Sequence, residues 1–565
     1  MALRTTTPQA LRRRWANGLE VALVDVREEG PYADAHPLFA VTVPVSELEA
    51  RLPALVPRPS VPLVVYDSGE GYAARAVPRI AALGYQDISV LEGGLAGYAD
   101  VGELYRDVNV PSKAFGELVE AIRATPSAPP RDLFDALLSR PDSDVVVLDA
   151  RRFEEYNTMS IPRGRSCPGG ELLYRVFDAA PSPDTTVVVH CAGRTRSLIG
   201  TQSLVNAAIP NKVVALRDGT IGWTLEDLTR GGLPPLETGK TARVPPPSDD
   251  GVRRAREHAA SWAAHVGVPI VQAPQLLALL AAHNADERTL YLLDVRDPSE
   301  YAVDHPAGFQ SAPGGQLVQA TDEWMGVRGA RAVLYDTDGV RARMAASWLL
   351  QLGWEVYVFD HAAALPALPG PALTSPASVP PPPAEGAVAV AVAAQDLKAL
   401  LDNDGATVVD LARSPAYRKG HIPGAWHASG PELARDLQAL VRVHGQGQGD
   451  GPLVLTSPDG IVAQANLVDA RDAVAPRTVL FLAGGTAAWT SAALPLEKAT
   501  GTSNARWLST PTDVYKRPYE GTGNDREAME GYIAWEHQLV AQLANDGVAN
   551  FHVVRDTRAK AKSSS

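Results

Sequence analysis

Cysteine is almost missing: Cys167 and Cys191 are the only two in 565 residues. Two thiols cannot make a disulfide scaffold, and they suit a reducing compartment. Long apolar runs are also missing; none reaches the roughly 20 residues that a membrane-spanning helix needs. Met1-Ala2-Leu3-Arg4-Thr5 is not followed by an apolar core and a small-residue cleavage site, so no signal peptide is expected and the expected location is cytoplasmic, with no membrane partner. Basic charge is in deficit, with 52 Lys and Arg against 65 Asp and Glu and a net charge of −13. That is the reverse of the footprint left by nucleic-acid binding. No Cys/His cluster has metal-ligand spacing, and no glycine-rich phosphate loop ends in Lys, so neither metal nor cofactor is expected. What is there is ordinary globular composition, 45% apolar and 21% charged, in a chain long enough for about three to five domains.

The chain repeats itself four times. Each copy has a helix, an apolar strand ending in Asp, and later a second strand ending in a short loop. The first strand is read at Ala22-Leu23-Val24-Asp25, Val146-Val147-Leu148-Asp149, Leu292-Leu293-Asp294 and Val408-Val409-Asp410. The loop position follows at a fixed distance: Asp25 to Asp67, Asp149 to Cys191 and Asp294 to Asp336 are each 42 residues. Asp410 to Ser457 is 47, and the glycine-rich insertion Gly445 to Gly451 can absorb the extra five. A third marker, Gly93-Gly94, Asp218-Gly219 and Gly484-Gly485, closes three repeats and decays to Asp360-His361 in repeat three. Three markers in register identify an internal repeat. Strand–helix alternation with apolar strands predicts α/β copies, each a small parallel sheet covered by helices on both faces. The Asp and nearby Arg at the end of each first strand are read as structural, tying down the next loop by a charge-assisted hydrogen bond.

Breaks in composition mark linkers at 125–130 and 244–248, the latter followed by a helix from about Asp250 to His265. The longest runs from Pro366 to Gly386, with Pro380-Pro381-Pro382-Pro383 as a semi-rigid spacer. Past repeat four, Asn524 is expected to cap a helix reaching about Ala544, whose Met529, Ile533, Leu539, Val540 and Leu543 dock it on a repeat. Lys560 to Ser565 reads as a disordered tail.

Only repeat two carries a thiol at the loop position. Val187-Val188-Val189 reads as a buried strand, and a helix starts again near Ser197. Cys191 therefore faces a helix N-terminus, with its free N–H groups and positive dipole end. Arg194 and Arg196 add positive charge. Such surroundings can lower a thiol pKa from about 8.5 to between roughly 3.5 and 7.5, so Cys191 is read as a thiolate nucleophile. His190 reads as strand-end packing, since a pre-ionised thiolate needs no base. Asp67, Asp336 and Ser457 offer no thiol nucleophile; the two carboxylates are expected to cap their helices and fill the anion cradle from within. Cys167 stands where repeat three has Ala312, and is either a small packing residue or a relay thiol.

Loop length separates the possible chemistries. Cys-based phosphatases place five residues between Cys and Arg; here four separate Cys191 from Arg196. The shorter loop resembles the active-site loop of rhodanese-family sulfurtransferases, often Cys-x-x-Gly-x-Arg and here Cys-Ala-Gly-Arg-Thr-Arg. The repeat markers, with His421-Ile422-Pro423-Gly424-Ala425, resemble that family too. The resemblance implies four tandem rhodanese-like domains, at 1–107, 128–236, 270–366 and 390–498, plus a C-terminal helical extension at 499–565. Only the second would be catalytic. It would move a sulfane sulfur from a small anionic donor such as thiosulfate to cyanide or a thiol, through a Cys191 persulfide. Ala192, Gly193, Arg194, Thr195 and Arg196 would form the persulfide loop, with the two arginines holding the donor's sulfonate. The rivals are a Cys-dependent phosphatase or arsenate reductase, and a non-catalytic sulfur carrier or scaffold.

Overall fold

Four parallel sheets organise the chain in a computed structural model that describes residues 3–364, 391–444, 451–499 and 506–555. Each copy opens with a helix: Pro8–Ala16, Pro130–Leu133, Ala273–Asn284 and Ala394–Leu401. The strands ending in Asp are Val21–Asp25, Val145–Asp149, Leu290–Asp294 and Thr407–Asp410. Their side chains are buried along nearly the whole length, because helices cover both faces of a parallel sheet; hence the continuous apolar runs. Beside each runs the loop-bearing strand: Leu63–Tyr66, Thr186–His190, Arg331–Tyr335 or Leu453–Thr456. In repeat two the order is Ser127–Ala128, Val213–Leu216, Thr186–His190, Val145–Asp149, Gly164–Ser166. Cys191 thus lies at the carboxyl edge of the central strand, where such sheets bind ligands. Among the described residues no helix is long and apolar enough to cross a membrane.

The repeated spacing has visible causes. Asp149 takes a fork of bonds from Arg151 at 2.9 and 2.6 Å, and Arg151 also donates to the Met159 carbonyl. Asp25–Arg27 and Asp294–Arg296 repeat this arrangement, reaching Ala35 and Asp304. In repeat four the Arg comes one residue later; Arg413 pairs with Glu29 at 2.7 Å, and burial pushes the Asp410 carboxyl up to about 7. The glycine marker is steric. Gly94, Gly219 and Gly485 have φ of 57°, 56° and 58°. A Cβ on them would lie 2.6, 2.4 and 2.0 Å from the carbonyl oxygens of Asp67, Cys191 and Ser457.

The chain divides into two units, one built mainly from repeats one and four, the other from repeats two and three with the C-terminal segment. In the first, Arg79 of repeat one donates to the Asn466 side chain at 3.2 Å, and Arg75 to the Pro431 carbonyl at 2.9 Å. In the second, repeats two and three meet glycine against glycine: a Cβ on Gly170 would lie 2.6 Å from Gly315 N. Arg341 of repeat three pairs with Glu171 of repeat two at 2.9 Å, and Trp348 donates to Ser203 at 2.8 Å. The helix Asp249–Val266, capped by Ser248, joins them and donates from Trp262 to Ser347.

Two expectations change. The C-terminal helix is capped by Asp525, whose side chain accepts from Ala528 N, and it is two helices, Arg526–Glu536 and Leu539–Asp546, parted at His537-Gln538. Residues after the first domain form a further helix, Val110–Arg123, with Pro111 in its first turn. The linker from Pro366 to Gly386, most of the glycine-rich insertion and the tail from Lys560 lie outside the described residues.

Candidate active site

The altered repeats show what the loop is built to hold. Asp67 accepts from Gly69 N at 3.0 Å and Ala73 N at 2.9 Å. Asp336 accepts from Gly339 N at 3.0 Å and Ala342 N at 2.9 Å, and Ser457 from Ala463 N at 3.3 Å. The donor six residues on is common to all three, in the first turn of the following helix. In repeat two the same offsets fall on the amides of Gly193, Arg194 and Ser197. Their helix, Thr195–Asn206, presents its free N–H groups and positive dipole end to the loop. Cys191 is 1% exposed, and its Sγ lies 3.4 Å from Ser197 Oγ, which in turn donates to the Arg194 carbonyl at 2.8 Å. Behind the loop, Thr220 N and Ile221 N donate to the Cys191 and Ala192 carbonyls at 3.0 and 2.9 Å. The backbone around the thiol is therefore tied on both sides.

Both loop arginines are already paired. Arg194, buried, bonds Glu117 at 2.8 and 2.9 Å, Asp218 at 2.8 Å, and Glu120. Arg196 grips Glu155 with both terminal nitrogens at 2.6 and 2.9 Å. Burial works against the Arg196 charge, but Glu155 holds it above its ordinary range, with Cys191 and Tyr519 acting the same way. The Arg341–Glu300 pair of repeat three is its counterpart. The two guanidiniums thus brace the loop and offset its carboxylates, instead of standing open to clamp a sulfonate.

Other residues reach the loop from outside the repeat. The helix Val110–Arg123 turns Lys113, Gly116, Glu117 and Glu120 toward it, a stripe at the three- and four-residue spacing of one helix face. A Cβ on Gly116 would lie 3.0 Å from Thr195 Cγ2. From the C-terminal segment come Tyr519, Tyr532, Trp535 and Glu536. Lys113 Nζ lies 5.7, 5.2 and 5.6 Å from the ring centroids of Tyr519, Tyr532 and Trp535, a cation–π arrangement. A Cβ on Gly193 would lie 3.2 Å from Tyr532 Cε1 and 3.3 Å from Glu536 Oε2. A cavity of about 260 Å³ is bordered by Met159, Thr220, Ile221, Trp223, Tyr519 and Met529, and none of residues 191–196 lines it.

Sequence reasoning missed Lys113, Glu117, Glu120, Glu155, Tyr519, Tyr532 and Glu536. The first three carry a signal that could have been found, since Pro111 and the stripe mark a helix. Cys167 sits among Val146, Leu148, Leu172 and Val176 in the core, where burial pushes its thiol up to about 12. It is a neutral packing residue, and the relay role falls away. Burial lowers His190 to about 4; its Nε2 is 3.4 Å from Asp149 and 3.3 Å from Ser160. It is neutral at pH 7 and packs the strand end.

The chain is similar to known proteins over much of its length. A thiosulfate sulfurtransferase from Azotobacter vinelandii is 26% identical over 219 residues, covering 32% of this chain and 79% of that protein. One from Pseudomonas aeruginosa is 26% identical over 218 residues with the same coverage. The crystal structure of a thiosulfate sulfurtransferase from Pseudomonas aeruginosa is 45% identical, with a TM-score of 0.87, covering 98% of this chain and 100% of that one. These likenesses support sulfurtransferase chemistry in the broad sense. The rhodanese-like domain pattern matches at 7–100, 131–226, 273–362 and 393–492, more than half of the chain, which therefore belongs to the rhodanese-like domain family.

Proposed function

We propose that the chain is a rhodanese-type sulfurtransferase in which Cys191, in the domain at 128–236, carries sulfur as a persulfide. One observation carries this reading. The same helix-capping loop holds a carboxylate or hydroxyl in three repeats, and in repeat two it holds a thiol instead. A cradle whose amides donate to the carboxyl oxygens of Asp67 and Asp336 is suited to stabilise the negative outer sulfur of a persulfide, although burial and the neighbouring Asp338 push the Asp336 carboxyl itself up to about 8.

The Cys191 thiolate attacks the outer sulfur of thiosulfate. The S–S bond of the donor breaks, sulfite leaves with the electron pair, and Cys191 keeps the sulfur as a persulfide anion. Cyanide or a thiolate then attacks that sulfur and the Cys191 thiolate is restored, a double displacement with ping-pong kinetics. Arg194 and Arg196 keep the loop in shape through their carboxylate partners. The loop is one residue shorter than that of Cys-based phosphatases, which disfavours phosphate as substrate.

Intact mass after thiosulfate treatment tests the proposal. The wild type is expected to gain about 32 Da, the mass of one sulfur on a reactive thiolate, and Cys191→Ser to gain nothing. No adduct on the wild type, or an equal adduct on Cys191→Ser through Cys167, would refute it.

A further inference from the structure

The C-terminal helix Arg526–Glu536 brings a carboxyl group to the edge of the thiol loop. Glu536 is 1% exposed. Its Oε1 accepts from the Tyr532 hydroxyl at 2.9 Å, while Oε2 is buried with no hydrogen-bond partner among the described residues. Oε2 is also the atom that a Cβ on Gly193 would meet at 3.3 Å. Leaving a buried polar atom unsatisfied is costly, so one aimed at the rim of an anion cradle points to something that binds there. Donors such as thiosulfate approach an anionic thiol already carrying two negative charges and several oxygen atoms. A carboxylate at the rim would repel them, whereas a carboxylic acid would offer a proton.

We propose that Glu536 is a substrate-binding residue which, as a neutral acid, donates a hydrogen bond from Oε2 to an oxygen of the incoming oxyanion donor. The proposal rests on the sulfur-transfer reading above and adds the C-terminal segment to the site of repeat two. No proton is transferred in the step: thiolate, thiosulfate dianion, persulfide anion and sulfite dianion balance without one, and the acid serves only as a donor. The surroundings favour that state. Burial pushes the carboxyl up to about 8; Lys113 opposes this, Glu117 adds to it, and Tyr532 and Arg194 oppose it more weakly. Of the other charged groups on these elements, Glu120 and Asp218 bond Arg194, and His537 lies 3.9 Å from Glu117. The sign follows. Raising the pH through about 8 removes the donated proton and adds a repelling charge, so capture of the donor slows as pH rises.

The experiment uses the full chain, measuring single-turnover persulfide formation from thiosulfate by intact mass from pH 6 to 10. Alkylation by iodoacetamide, a neutral reagent, tracks thiolate population in parallel. The wild-type rate should fall about tenfold per pH unit above a midpoint near 8 while alkylation does not fall. Glu536→Gln, which keeps an N–H donor but cannot ionise, should react within about tenfold of the wild type at pH 7 and lose the alkaline fall. Tyr532→Phe removes a bond that favours the carboxylate and should move the midpoint to higher pH; it serves if the Gln variant does not fold. An alkaline fall that persists in Glu536→Gln, or is unmoved in Tyr532→Phe, overturns the proposal. So does its absence from a wild type that forms persulfide. A wild type that forms none at any pH overturns the sulfur-transfer reading itself, and this proposal with it.

Discussion

Gly219→Ala adds a single methyl group, yet it should disable the site. At φ 56° an L side chain costs roughly 1–2 kcal/mol. The new Cβ would also lie 2.4 Å from the Cys191 carbonyl oxygen and 2.7 and 2.8 Å from the Ala192 carbonyl carbon and oxygen. Ordinary contact begins near 3.4 Å, so backbone on one side or the other must move by about 1 Å. The groups in the way are those that accept from Thr220 N and Ile221 N, and weakening each bond costs about 1 kcal/mol more. A loss of about 3–4 kcal/mol of stability is expected from strain and weakened bonds together. Misplacing a reacting group by about 1 Å costs about a hundredfold in rate, and persulfide formation should fall by that factor. Gly94→Ala is the matched control, with φ 57° and a Cβ 2.6 Å from the Asp67 carbonyl oxygen. It should lose similar stability and keep its rate. Thermal unfolding followed by circular dichroism, with single-turnover kinetics well below the transition, measures both. A wild-type rate in Gly219→Ala would show that the Cys191 carbonyl does not set the nucleophile's position. Equal rate losses in the two variants would show that repeat one takes part in the chemistry.

Asp336→Ala leaves the Gly339 and Ala342 amides without their acceptor at about 1–3 kcal/mol each. Scanning calorimetry should show a lower Tm with turnover preserved; lost turnover in the folded variant would place the repeat-three loop in the mechanism. Arg194→Ala strands the buried Glu117 carboxylate and should destabilise by about 3–5 kcal/mol. Adding Glu117→Gln should restore much of that in denaturant unfolding. If the single variant instead keeps its stability and loses only affinity for thiosulfate, Arg194 is a donor clamp after all.

The fourfold repeat, the strands ending in Asp and the singular position of Cys191 could all be read from the chain, because each is a local consequence of local residues. Continuous apolar strands report burial on both faces. A fixed interval of 42 residues reports one strand pair built three times over. The glycine marker was visible as a pattern, and its cause, a carbonyl 2.4 Å from where a side chain would be, only in three dimensions. Tertiary structure alone decided what surrounds the thiol. The partners of Arg194 and Arg196 lie 77 and 41 residues away in Glu117 and Glu155. Lys113, Glu117 and Glu536 carry no sequence signal of burial, because charge in a helix ordinarily faces water. They are buried because opposite charges and aromatic rings arrive from distant segments. The pairing of repeat two with repeat three is of the same kind: it rests on Gly170 meeting Gly315. Periodicity encodes that a face is covered, and which element covers it is settled by complementary shape and charge between parts of the chain far apart in sequence.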